Sequence, residues 1–245
     1  MRLSLLISAC TLGMAVGTAQ AAPIDWAAFA SGDFGNVAGN SYWATDVGIQ
    51  IPATDAIDVE VDAGLAGADS VHTYNGGGHL VWNGDDFRLA ATAIYNHVSV
   101  FGHLNETQLG GGGEWYPTTW LTLGVQGGAL VGTGSGAYVG GAVKGYVFPD
   151  LSVAGIANYT SLTDVGTVTE TDYGARAEWV VTEEFPLAVD GSYVRANLGG
   201  LAHGATDIWT VGLKFHLNAA GEIPLVQHDR TGTLDTIGST LQFHF

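Results

Sequence analysis

Twelve antiparallel strands closed into a transmembrane up-and-down β-barrel is the all-β fold this sequence predicts, and three observations predict it. Apolar and polar side chains alternate with period two over a dozen stretches, the pattern of strands whose faces meet different surroundings. Four of the six prolines fall in short segments between those stretches, and none interrupts one. After residue 21, no apolar run approaches the ~20 residues that a spanning helix needs. The 37 glycines and the low charged fraction of 13% fit strands better than helices.

The first element precedes the barrel. Residues 1–21 join a basic start at Arg2 to an apolar run and a small-residue cleavage site, Ala19-Gln20-Ala21, and read as a secretory signal peptide. The competing cut before Cys10, suggested by Ile7-Ser8-Ala9-Cys10, leaves only nine residues for targeting. Cleavage after Ala21 removes the only cysteine and one of the seven basic residues, which leaves 24 acidic side chains against six basic. Disulfides and thiolate metal sites are then excluded, and so is nucleic acid, whose binding relies on clustered Lys and Arg.

The strands are expected at 24–34, 41–51, 56–66, 77–83, 87–99, 106–116, 120–131, 137–148, 151–161, 167–181, 187–197 and 206–218. The first and fourth alternate least well. The third is the cleanest: in Ile57-Asp58-Val59-Glu60-Val61-Asp62-Ala63-Gly64-Leu65 every odd residue is apolar and every even one acidic or Gly. Leu121 to Val131 and Trp209 to Leu217 alternate in the same manner. Most stretches reach the ~9–11 residues that cross a bilayer as a tilted strand.

The connectors fall into two alternating sets. Pro52-Ala53-Thr54-Asp55, Asn83-Gly84-Asp85-Asp86, Pro117-Thr118-Thr119, Pro149-Asp150 and Thr182-Glu183-Glu184-Phe185-Pro186 are turn sequences. The segments 35–40, 67–76, 102–105, 132–136, 163–166 and 198–205 read as looser loops. Short turns on one side and longer loops on the other match a barrel whose short side is periplasmic. On this register Trp26, Trp43, Trp82, Trp115, Trp120, Trp179 and Trp209 all take the outward parity near strand ends, as an aromatic girdle does at a lipid boundary.

With these features the chain resembles the outer-membrane β-barrels of Gram-negative bacteria, in particular the small porin-like barrels of proteobacteria. The segments that carry the likeness are GGGGEWYPTTWLTLG, GYVFPDLSV, TDIWTVGLKFHLN and the aromatic C-terminus. The resemblance covers residues 22–218. It implies an address in the cell outer membrane among lipid and lipopolysaccharide, assembly by machinery that recognises a terminal aromatic strand, and transport as the default activity.

The inward parity collects Asp25, Asp33, Asp46, Asp58, Glu60, Asp62, Glu114, Glu170, Asp172, Glu178 and Asp190 against Arg88, Lys144, Arg176 and Lys214. Gly48, Gly64, Gly110, Gly112, Gly140 and Gly174 share that face and are expected to leave space. The functional expectation is a hydrated, acidic, porin-like channel for small polar solutes or cations, its field set by Asp58, Glu60, Asp62, Glu170, Asp172 and Glu178. The competing reading is a polar plug of paired charges, although four cations cannot neutralise eleven carboxylates.

Two other classes stand beside the channel. One is a non-conducting structural or surface barrel, for which the loops are short. The other is a lipid-modifying enzyme of the outer membrane, since outer-membrane phospholipases place Ser and His toward lipid, and His97 and Ser99 share the outward parity here. No orienting Asn or Asp of matching parity is evident beside them, and no catalytic residue is assigned. No cofactor or metal site is expected: the histidines form no metal spacing, His79 and His216 read as lumen-lining polar groups, and Gly110 to Gly113 lack the Lys-Ser/Thr of a phosphate loop. Asp69 and Asp164 read as solvated loop charges that also suit bridging to lipopolysaccharide through divalent cations.

The chain has two strand-like endings, VGLKFHLN and STLQFHF. Closing at Asn218 makes twelve strands. A thirteenth at 240–245 would place the termini on opposite sides and break the even count usual for bacterial barrels. The first ending is therefore expected to close the barrel, with 219–245 as a periplasmic tail.

Overall fold

The computed structural model describes residues 26–69, 71–99, 103–163, 167–181, 187–200, 203–218, 225–231 and 234. The signal segment 1–21, Asp25, Asp164 and the second ending at 240–245 lie outside the described residues. Twelve strands run in chain order: β1 (Ala27–Val37), β2 (Asn40–Pro52), β3 (Ile57–Ala68), β4 (Val71–Asn83), β5 (Phe87–Ser99), β6 (His103–Thr118), β7 (Leu121–Gly132), β8 (Gly136–Phe148), β9 (Leu151–Leu162), β10 (Val168–Val180), β11 (Leu187–Gly200) and β12 (Gly204–Asn218). A short helix, α1 (Leu225–Thr231), follows.

Each strand pairs antiparallel with its chain neighbours, and the sheet closes. β1 lies against β12, with Ala27 opposite Asn218 and Val37 opposite Ile208, and on its other side against β2. The ending LKFHL is therefore the closing one, and neither β1 nor β12 offers a free edge to another strand. Closure removes the unpaired backbone groups that hydrocarbon would penalise.

The alternation read from the sequence is the alternation of exposure. Along β4, Leu80 is 53% exposed, Val81 0% and Trp82 50%. Trp43, Trp82, Trp115, Trp120, Trp179 and Trp209 are all exposed on the outside, Trp120 from the turn before β7. Trp26 is half-buried and directly precedes β1.

Two expectations change. The segment 67–76 is mostly strand: β3 runs to Ala68 and β4 begins at Val71. The outward His72 and the run Gly76-Gly77-Gly78 break the apolar alternation, yet the backbone ladder with β3 and β5 is continuous there. The two sides of the barrel also do not differ in connector length. Ala38 and Gly39 alone join β1 to β2 on the expected loop side, whereas residues 53–56 join β2 to β3 on the expected turn side. Ala38 (φ 53°) and Gly39 (φ 88°) make the positive-φ turn that matches strand twist, and Asn36 Oδ1 accepts the Gly39 N–H at 2.8 Å. The ends are better distinguished by the termini of the barrel: the terminal end carries residues 26 and 218, and the opposite end carries the β1–β2 turn.

Candidate functional site

The lumen at the terminal end is filled by charged and polar side chains from nearly every strand. Arg88, 1% exposed, is its hub: Nη2 donates to Gln50 Oε1 at 2.9 Å, Nε donates to Asn83 Oδ1 at 3.1 Å, and Nη1 lies 3.9 Å from Glu114. Gln50 and Asn83 in turn donate to Asp58 Oδ2, and Tyr116 donates to Glu114 at 2.8 Å. His79 pairs with Asp62. On the other wall, Glu178 accepts from His216 at 2.5 Å, with Lys214 at 3.8 Å and Arg176 at 4.0 Å. Arg176 also lies 3.7 Å from Asp190, and Lys214 sits over the Phe29 ring at 5.4 Å.

Into this mouth comes α1, with Leu225, His228 and Asp229 buried. Asp229 Oδ2 accepts from Lys144 Nζ at 2.7 Å and from Tyr146 OH at 2.9 Å, and the Asp229 carbonyl accepts from Arg88 at 3.2 Å. Arg230 lies over Tyr116 at 4.8 Å and donates to the Thr118 carbonyl at 2.6 Å. The His228 ring meets His216 edge-on at 4.1 Å. Beyond the helix, the Leu234 N–H donates to Glu60 Oε2 at 2.9 Å, and its side chain packs with Val81 and Ala90. β6 and β12 face each other across a twelve-strand ring, so these contacts span the mouth.

The opposite half is built differently. Val37, Tyr42, Ala44, Val194, Ala196 and Ile208 form a buried apolar cluster on the lumenal face of β1, β2, β11 and β12. Facing inward from the other strands are the amides Asn96, Gln108 and Asn158 with the acids Glu170 and Asp172, all buried. Gln108 and Glu170 each present a buried side-chain atom with no hydrogen-bond partner within the protein.

Every lumen residue read from the sequence that is described takes the inward face: Asp46, Asp58, Glu60, Asp62, Arg88, Glu114, Lys144, Glu170, Asp172, Arg176, Glu178, Asp190 and Lys214. Asp58, Arg88 and Glu114 share one network, which Lys144 joins through Asp229, and Arg176, Glu178, Asp190 and Lys214 share a second; Asp62 pairs with His79, Glu60 accepts from the Leu234 N–H, and Glu170 adjoins Asp172. The lumenal glycines Gly48, Gly64, Gly110, Gly140 and Gly174 do not leave empty space. A Cβ on Gly64 would lie 2.1 Å from Asp46 Oδ1, and one on Gly212 would lie 2.2 Å from Asp33 Oδ1 and 2.8 Å from Asp190 Oδ1, so these glycines are recesses for neighbouring carboxylates.

Several residues escaped the sequence reading. Glu106 is on the inward parity of β6, a signal that parity alone carries. Asp229, His228 and Arg230 escaped because the sequence reads 219–245 as a tail; that four polar residues, Gln227 to Arg230, follow one another is the sign that the segment meets polar groups. Asn105 corrects a further expectation. On the outer face it lies opposite His97 in the β5–β6 ladder and accepts from His97 Nδ1 at 2.6 Å, so an orienting Asn does stand beside His97 and Ser99. The sequence reads Asn105 as part of the connector 102–105, without strand parity; β6 instead begins at His103, and its ladder sets Asn105 opposite His97. Among the described residues, no group of three or more His, Asp or Glu has the arrangement to hold a metal ion.

A closed antiparallel barrel with an apolar outside and a polar inside is a transmembrane β-barrel. Solved structures of outer-membrane porins and channels share this fold. The chain is similar to the NanC porin (TM-score 0.59, 11% identity, 77% of this chain and 100% of that one). It is also similar to the KdgM porin in complex with disordered oligogalacturonate (0.57, 10%, 76% and 98%). An outer-membrane channel from Pseudomonas putida F1 is alike at 0.57 and 10%, over 82% and 98%. No protein-family profile and no curated protein matches the sequence. At these identities the likeness is one of fold.

Proposed function

We propose that this protein is a porin-like passive channel of the outer membrane for small polar solutes or cations, closed in the present conformation by α1. The observation that carries the selectivity is the placement of the basic residues. Arg88, Lys144, Arg176, Lys214 and Arg230 all lie toward the terminal end or on α1, and Arg195 is an outer-face residue paired with Asp207. Among the described residues the opposite half of the lumen therefore presents Glu106, Glu170 and Asp172 with no Lys or Arg. Such a wall concentrates cations and repels polyanions, a contrast with the acidic oligosaccharide named for the KdgM complex.

The terminal end faces the periplasm in this reading, with 219–245 on that side, and assembly uses the outer-membrane machinery in a bilayer of lipid and lipopolysaccharide. The non-conducting barrel is the second reading, favoured by the contacts of α1 across the mouth. One experiment separates them: planar-bilayer recording of the refolded protein and of Asp229→Ala under a salt gradient. We expect a reversal potential of cation-preferring sign and a larger open probability when Asp229 no longer holds α1. Ions crossing equally well whatever their sign would sink the acidic selectivity, and silence from both proteins would sink the channel.

A further inference from the structure

On the lipid-facing side of β5 and β6, three side chains are joined in the order that nucleophilic hydrolysis needs. Ser99 Oγ lies 3.2 Å from His97 Nε2, and His97 Nδ1 lies 2.6 Å from Asn105 Oδ1. With the proton on Nδ1 donated to the Asn105 oxygen, Nε2 presents its lone pair to the Ser99 hydroxyl. This is the nucleophile, base and orienter arrangement. Asn105 is itself held: Tyr95 OH donates to the same Oδ1 at 2.8 Å, and the Asn105 N–H donates to Thr133 Oγ1 at 3.0 Å. Tyr74 stacks on the His97 ring from the other side, at 4.4 Å between centroids and 18° between planes. His97 and Ser99 are half-buried and Asn105 is exposed, so the site is supported yet open to the bilayer. Their neighbours Asn96 and Val98 point into the lumen, which separates this site from the channel.

We propose that Ser99, His97 and Asn105 form a hydrolytic site for the acyl esters of membrane lipids. Ser99 Oγ bonds to the ester carbonyl carbon as its proton passes to His97 Nε2, and the carbonyl electron pair moves onto oxygen. The bond from that carbon to the lipid alcohol breaks, the alcohol oxygen takes the proton from His97, and the de-acylated lipid leaves an acyl group on Ser99. Water from the headgroup layer attacks the acyl carbon, gives its proton to His97, and releases the fatty acid as Ser99 recovers that proton. Ser99 and His97 are the catalytic residues, and Asn105 is a positioning residue for the imidazole.

The test uses the refolded full chain in mixed micelles, with phosphatidylethanolamine in one arm and lipopolysaccharide in the other, and measures fatty-acid release. A second readout is labelling of Ser99 by an alkylsulfonyl fluoride, located by mass spectrometry. Release in either arm, lowered by about 10³-fold in Ser99→Ala and His97→Ala, is expected and names the lipid source. Asn105→Ala should lower release by about tenfold or more and displace the pH profile, with Asn105→Asp restoring most of the rate. Folding of each variant is checked by its heat-dependent gel mobility. A folded wild-type chain with neither release in both arms nor Ser99 labelling overturns the proposal, as does release that persists in folded Ser99→Ala. The three side chains would then be only a hydrogen-bonded girdle.

Discussion

The two halves of the lumen are made by the same twelve strands yet are held together by different forces. At the terminal end, Arg88, Lys144 and Lys214 are 1%, 3% and 4% exposed, and each lies against carboxylates or amides of the protein. At the opposite end, Val37, Tyr42, Val194 and Ile208 exclude water from one wall, and the amides and acids of the other wall have spare hydrogen-bonding capacity. The difference teaches that closure of the barrel and anchoring of α1 in its mouth are separate problems. The backbone ladder solves the first, and the contacts of Asp229 with Lys144, Tyr146 and Arg88 solve the second.

Perturbing each half in turn tests that separation. The largest effect is expected for Lys144→Met, which leaves the buried Asp229 carboxylate without its cation. Breaking such a pair costs about 3–5 kcal/mol. The loss should appear as release of α1, read by faster tryptic cleavage after Arg230, while the unfolding midpoint of the barrel stays put. A matching fall in that midpoint would mean that α1 is part of the barrel's cooperative unit. Next comes Ile208→Ala, at a side chain 1% exposed in the apolar cluster, for which the lost burial and residual cavity cost about 3 kcal/mol. Denaturant unfolding in vesicles should register this one, with Arg230 cleavage unchanged. The smallest effect belongs to Arg195→Ala. That outer-face pair with Asp207 has 40% and 52% exposed side chains and should contribute less than about 1 kcal/mol, shrinking further in salt. A loss comparable to that of Ile208→Ala would show that the exterior ion pair matters as much as the lumenal core.

Much of this was legible along the chain because strand parity is a local property. Asp58, Glu60 and Asp62 could only face the side opposite Val59 and Val61, whatever the rest of the molecule did. Pairing is not local. Asn105 is eight residues from His97, and nothing in the intervening connector tells which residue of β6 lies opposite which of β5; the ladder decides it. Glycine shows the same limit. A lumenal Gly64 reads as open space until its cross-strand neighbours Asp46 and Asn75 are seen to occupy the place of its missing Cβ.

By itself the sequence determined the strand count, the inward and outward faces and the closing strand, because each follows from period-two alternation and from the cost of an unpaired edge in lipid. Only the tertiary structure decided that α1 enters the terminal mouth and that Ser99, His97 and Asn105 meet. Both depend on residues brought together by closure of the barrel, and no local pattern encodes the register that closure imposes.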